Sequence, residues 1–136
     1  MALEPILVVD DQPQNLKLVR VILTGEGYDV RTAVDAEDAL AVLESFRPRL
    51  ILMDLQLPGM DGFELARRLK ADPANSDIVI IALTAYALST DEDRAFAAGF
   101  DAYISKPMDL AVLRRVVARH LRGTGGDPGT GDPISG

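Results

Sequence analysis

Short, wholly apolar runs recur along the chain, separated by stretches of helical spacing. Ile6-Leu7-Val8-Val9, Leu50-Ile51-Leu52-Met53 and Ile78 to Leu83 are continuous rather than alternating. Continuous runs of this length are expected of parallel strands covered on both faces. Two weaker runs, Tyr28 to Ala33 and Ala102-Tyr103-Ile104, read as further strands. Between them, residues 14–25 carry apolar side chains at spacings of three and four. The same pattern returns at 36–46 (Ala36, Ala39, Leu40, Val42, Leu43, Phe46), 62–71 (Phe63, Leu65, Ala66, Leu69) and 109–121 (Leu110, Val112, Leu113, Val116, Val117, Leu121). Each predicts an amphipathic helix. A fifth helix is expected over an Ala-rich segment near 90–98.

The punctuation agrees with this division. Gly25 and Gly27 are placed to stop the first helix, and Gly99 to stop the Ala-rich one. Pro48 falls just before the third strand. Asp72-Pro73 ends the helix ahead of it, because the residue before a proline is driven out of helical geometry. Strand and helix thus alternate five times, with strand starts about 22 to 28 residues apart, one βα unit each. Such alternation predicts an α/β fold, a parallel sheet with helices on both faces. The units share no residue-level repeat, which argues against a solenoid.

Composition narrows the function. The 136 residues, 48% of them apolar, suit one domain. Cys is absent and His occurs once, so a disulfide scaffold, a thiolate–metal site and a His-cluster site are all excluded. A net charge of -7 argues against a nucleic-acid surface. No apolar run approaches the roughly 20 residues of a membrane span. Met1-Ala2-Leu3-Glu4-Pro5 lacks a signal-peptide pattern, so the cytoplasm is the expected compartment. Residues 1–122 are read as the domain. Residues 123–136, almost entirely Gly, Pro, Asp and Thr, are expected to be a disordered tail with too little to bury. A phosphate loop there is disfavoured, because no Gly-Lys-Ser/Thr follows. No appended output domain is expected within these 136 residues.

In open parallel sheets, ligands collect beyond the carboxyl ends of the strands. The first strand ends in Asp10-Asp11, the third in Asp54, the fourth in Thr84-Ala85 and the fifth in Ser105-Lys106-Pro107. Clustered carboxylates repel unless neutralised. Oxygen ligands without His or Cys favour Mg²⁺ or a similar hard ion over zinc. A divalent cation, an ammonium and a hydroxyl around a carboxylate are the parts that phosphoryl transfer uses, and a carboxylate can itself be the nucleophile.

The sequence resembles the receiver domain of two-component response regulators. The likeness is carried by Ile6-Leu7-Val8-Val9-Asp10-Asp11, Leu52-Met53-Asp54-Leu55-Gln56-Leu57-Pro58-Gly59-Met60-Asp61-Gly62, Ala82-Leu83-Thr84-Ala85 and Gly99-Phe100-Asp101-Ala102-Tyr103-Ile104-Ser105-Lys106-Pro107. It covers about residues 4–121. The resemblance implies a flavodoxin-like (βα)5 doubly wound sheet of strand order 2-1-3-4-5. It implies Asp54 as phospho-acceptor, and Mg²⁺ (or Mn²⁺) held by Asp10, Asp11, Asp54 and the backbone carbonyl of Gln56. Thr84 and Lys106 would contact the phosphoryl group, and the Lys106-Pro107 peptide would be cis. Thr84 and Tyr103 would form a switch, and Gln56 and Tyr86 would tune how long the phosphate lasts. The implied partners are a histidine kinase or histidine phosphotransfer protein and a downstream protein target, not nucleic acid or membrane. The chain would be a monomer or a phosphorylation-dependent dimer. It would not be an enzyme beyond its own phosphorylation and dephosphorylation.

Blander roles exist for each residue. Asp10-Asp11 could cap a helix, Thr84 could finish a strand, Lys106 could be a solvated surface residue and Tyr103 could be core. Asp61 reads as a turn residue, and His120 as a surface group favoured by its helix terminus. In the first helix, Leu16, Val19, Ile22 and Leu23 share the core face, while Leu18 and Val21 fall outside it. Gln14, Asn15, Leu18 and Val21 are therefore expected to form a docking strip for a phosphotransfer partner. Two other readings stay open: a receiver cut from a hybrid histidine kinase, and a Mg²⁺-dependent aspartyl-phosphate phosphatase. The latter would need an acid two residues beyond Asp54, where Gln56 stands.

Overall fold

The computed structural model describes residues 3–60, 62–84, 89–105 and 109–123. Five strands and five helices alternate: β1 (Pro5–Val9), α1 (Pro13–Gly25), β2 (Asp29–Ala33), α2 (Ala36–Leu43), β3 (Leu50–Asp54), α3 (Gly62–Ala71), β4 (Val79–Thr84), α4 (Ser89–Ala98), β5 (Ala102–Ser105) and α5 (Leu110–Gly123). The strands form one parallel sheet in the order β2-β1-β3-β4-β5. This is the flavodoxin-like order that the resemblance implied.

The continuous apolar runs have a direct cause. Successive strand side chains point to opposite faces, and here both faces are covered. Leu7, Val9, Ile51, Met53, Ile80 and Ala82 pack with Phe63, Leu65 and Leu69 of α3 and with Ala98 of α4. Their neighbours Ile6, Val8, Leu50, Leu52, Ile81 and Leu83 pack with Leu16, Val19 and Leu23 of α1 and Leu113, Val117 and Leu121 of α5. β3 lies at the centre of the sheet, and all five of its residues are buried. Truncating one of its leucines to Ala should cost about 2–5 kcal/mol.

α1 ends at Gly25 as the spacing predicted, whereas α2 and α5 end elsewhere than expected. Gly25 is the last residue of α1, and the chain turns at Gly27, whose φ of +96° favours glycine. α2 ends at Leu43, although its apolar spacing runs to Phe46 and Glu44 keeps helical dihedrals. Ser45 and Phe46 still donate their backbone N–H groups to the Val42 carbonyl, which keeps Phe46 buried under the Arg31 guanidinium. Pro48 forbids further helix. α5 runs to Gly123, one residue past the expected domain edge.

Candidate functional site at the carboxyl edge of the sheet

Strand register builds the site. β1 pairs with β3 so that Val9 lies opposite Met53, which sets the next residues, Asp10 and Asp54, side by side. On the other side of β3, Asp54 lies opposite Leu83, so Thr84 ends β4 one step beyond it. Thr84 in turn lies opposite Ser105, the last residue of β5. Four strands, β1, β3, β4 and β5, thus act as rods that bring chemistry from distant parts of the chain to one edge.

Asp10 is 1% exposed and Asp54 7%, the two buried acidic side chains among the described residues, while Asp11 is exposed. Carboxylate oxygens of all three lie within 4.8 Å of one another. Burial of carboxylates requires compensation. The backbone N–H of Gln12 donates to Asp10 Oδ1 at 2.9 Å, and that of Gln56 donates to Asp54 Oδ1 at 2.9 Å. Each acid therefore closes a two-residue turn at its strand end. This fixes its direction and turns the chain towards the next helix. Gln12 caps α1 through its backbone position, without a side-chain cap, so neither Asp10 nor Asp11 is the N-cap residue.

Among the described residues the donor set consists of oxygen atoms crowded at one point, with no nitrogen or sulfur ligand. Such a set fits a small hard divalent cation, whose charge would offset that of the three acids.

Gly62 holds the other wall in place. Its N–H donates to the Leu55 carbonyl at 3.0 Å, and a Cβ there would lie 2.7 Å from the Asp54 carbonyl oxygen. The start of α3 can approach the acidic strand end only because that side chain is missing. The Asp61-Gly62 pair was visible in the sequence, but not this contact.

The other expected residues sort as follows. Gln56 has an exposed side chain two residues beyond Asp54. Tyr103 is half-buried and packs against the cluster on the α2–α4 side of the sheet. For Thr84 the backbone alone is described. Lys106, Pro107, Tyr86 and Asp61 lie outside the described residues, as do 124–136 of the tail. His120 is half-buried, with Nδ1 2.9 Å from the Val116 carbonyl oxygen. On α1, Gln14 is exposed, and Leu18 and Val21 are 43% and 59% exposed, as the helical pattern predicted. Beside them a groove of about 600 Å³ runs between α1 and β2, lined by Pro13, Leu16, Val21 and Thr32 with Lys17 and Arg20. Asn15 is half-buried, and its side chain turns to Asp10.

No helix among the described residues is long and apolar enough to cross a membrane.

With this geometry in hand, the relatives are informative. The chain matches the model of the response regulator receiver domain over residues 6–118. It is 43% identical over 115 residues to a 14.6 kDa protein encoded in the sodA1 3′ region of Leptolyngbya boryana, covering 85% of this chain and 88% of that one. It is 39% identical over 116 residues to the polar-differentiation response regulator DivK of Brucella anthropi, covering 85% and 94%. By contrast, it spans 49% of the DNA-binding dual master transcriptional regulator RpaA of Synechocystis, and 24% of the response regulator PleD of Caulobacter vibrioides. Among solved structures, the receiver domain of a sensor histidine kinase of Pseudomonas aeruginosa aligns with a TM-score of 0.79 at 36% identity, covering 87% and 97%. That structure holds a magnesium ion coordinated in its active-site cleft. Family model, strand order and clustered strand-end acids agree: the chain belongs to the response regulator receiver domain family.

Proposed function

We propose that the chain accepts a phosphoryl group on Asp54 from a phosphohistidine and passes the signal on by a change of conformation. The observation that carries this reading is the meeting of Asp10, Asp11 and Asp54 oxygens within 4.8 Å at the carboxyl edge of the sheet. Asp54 is the acceptor because it ends the central strand, buried yet with its carboxylate at the cluster. A carboxylate oxygen attacks phosphorus and forms an O–P bond. The N–P bond to the donor imidazole breaks, and the imidazole leaves with the bonding pair and takes up a proton.

Asp10, Asp11, Asp54 and the Gln56 carbonyl are the groups that would hold Mg²⁺ or Mn²⁺. When bound, the cation offsets negative charge on the acids and on the phosphoryl oxygens. Thr84 and Lys106 are assigned to the phosphoryl group, and Tyr103 to the switch that follows movement of Thr84. Phosphate then biases an existing two-state equilibrium because it interacts better with one state. Gln56 and Tyr86 tune the lifetime of the acyl phosphate. The Gln56 amide cannot serve as a general acid. The chain is therefore assigned no turnover on external phosphoesters, only its own phosphorylation and dephosphorylation.

The donor is a histidine kinase or histidine phosphotransfer protein, docked on α1 through Gln14, Leu18 and Val21 with Asn15 at the inner margin. The output is a protein partner in the cytoplasm, reached by a monomer or a phosphorylation-dependent dimer.

The test is incubation with a small acyl phosphate or phosphoramidate and Mg²⁺, followed by intact-mass analysis. The wild type should gain one hydroxylamine-sensitive phosphoryl group, and Asp54→Asn should gain none. Persistent Mg²⁺-dependent labelling of Asp54→Asn would overturn the assignment.

A further inference from the structure

Asn15 is the third residue of α1, and its backbone N–H donates to the Gln12 carbonyl at 3.0 Å. The helix therefore anchors its backbone, while its side chain reaches back to the end of β1. There Nδ2 lies 3.3 Å from Asp10 Oδ2. An ionised carboxylate only accepts hydrogen bonds, so the nitrogen end of the amide must face it. The other oxygen of Asp10 is engaged by the Gln12 N–H at 2.9 Å. Both oxygens of a carboxylate that is 1% exposed are thus directed by donors from the N-cap and first turn of α1.

We infer that Asn15 is a positioning residue for the acidic pocket, holding Asp10 and weakening the pocket's grip on a divalent cation. This rests on the reading of the pocket as a cation site. The reasoning is one of competition. Without a cation, the Asp10 charge is buried beside two like charges, and the Asn15 amide offsets part of that cost. With a cation present, the same charge is already offset, and the amide contributes less. Asn15 therefore stabilises the cation-free protein more than the loaded one. By linkage, removing its donor must tighten cation binding.

The experiment is calorimetric titration of Mg²⁺ into wild type, Asn15→Ala and Asn15→Asp, with thermal unfolding in EDTA and in Mg²⁺. Asn15→Ala should bind on the order of three- to tenfold more tightly. Its melting temperature should fall in EDTA and recover in Mg²⁺. Asn15→Asp, which replaces the donor with a fourth acid, should bind more tightly still. If it unfolds in EDTA, Mg²⁺ should refold it. Unchanged affinity with equal loss of stability in both buffers would reduce Asn15 to a structural residue, and weaker binding would reverse its role. Either result overturns the inference while leaving the cation site standing. A wild type that binds no Mg²⁺ at millimolar concentration overturns both.

Discussion

At the amino edge of the sheet, just before β1 and β3, Arg49 Nη1 lies 2.8 Å from Glu4 Oε1. Along the same edge, Lys70 Nζ lies 3.1 Å from Asp101 Oδ2, which also accepts the Ile80 N–H at 2.9 Å. Lys70 further donates to the Ile78 carbonyl at 2.8 Å. At the carboxyl edge, three acids crowd within 4.8 Å, two of them buried. One edge places opposite charges together, and the other gathers like charges. The first arrangement serves the fold with its own side chains. The second costs the fold free energy and leaves a site that an added cation can relieve. The chain thus separates charge paired for the fold from the charge of the proposed cation site by placing them at opposite edges of the sheet.

The largest effect that would sharpen this contrast is ligand linkage. Mg²⁺ at about a hundred times its dissociation constant should stabilise the wild type by about 2.7 kcal/mol in thermal or urea unfolding. Asp11→Asn should lose most of that gain. In EDTA it should be no less stable than the wild type, since a repelling charge has gone. A full Mg²⁺ response in Asp11→Asn would break the comparison.

Next in size is Asp101→Ala, which removes one acceptor from both Lys70 and the Ile80 N–H. It should cost about 1–3 kcal/mol in urea titrations, discounted because Asp101 is 38% exposed, and leave Mg²⁺ affinity unaltered. Gly62→Ala should cost about 1–3 kcal/mol, because its Cβ meets backbone at 2.7 Å. Unlike Asp101→Ala, it should also slow phosphoryl labelling. Wild-type labelling would show that the start of α3 does not shape the site.

Glu4→Gln breaks an exposed pair and should cost no more than about 1 kcal/mol, less at high salt, with no change in labelling.

The smallest effect concerns Glu64 on α3. Arg67 first, then Arg68, hold its carboxyl below the ordinary value through hydrogen bonds. A lowered folded-state value means that its contribution is present at neutral pH and is lost as pH falls through that value. Glu64→Gln should be slightly less stable than the wild type at neutral pH, with the difference vanishing as pH falls through the carboxylate range; a difference that grows on the acid side would contradict this.

Much of this was legible from residue order. The runs at 6–9, 50–53 and 78–83 were read as doubly covered strands, and each lies in the sheet with both faces packed, except that Ile78 falls just before β4. Asp10, Asp11 and Asp54 were read at strand ends, and they meet. Leu18 and Val21 were read off the core stripe of α1 and are exposed. What escaped depends on contacts between segments. Phe46 keeps the spacing of α2 although the helix has ended. Asn15 looked like a surface residue of a docking strip, but the helix axis turns its amide to a strand end. Lys70 and Asp101 are far apart in sequence, and no local pattern pairs them.

The sequence by itself determined which segments become strands and helices, because period and punctuation are local properties of the chain. It also determined which chemistry each strand end would carry. The tertiary structure alone decided that β1 lies beside β3 with Val9 opposite Met53, and so that Asp10 and Asp54 become neighbours. It also decided that Asn15 and Gly62 shape their surroundings. Those outcomes follow from strand order and register, which are set by packing two apolar layers against both faces of the sheet, a property of the assembled core that no single segment contains.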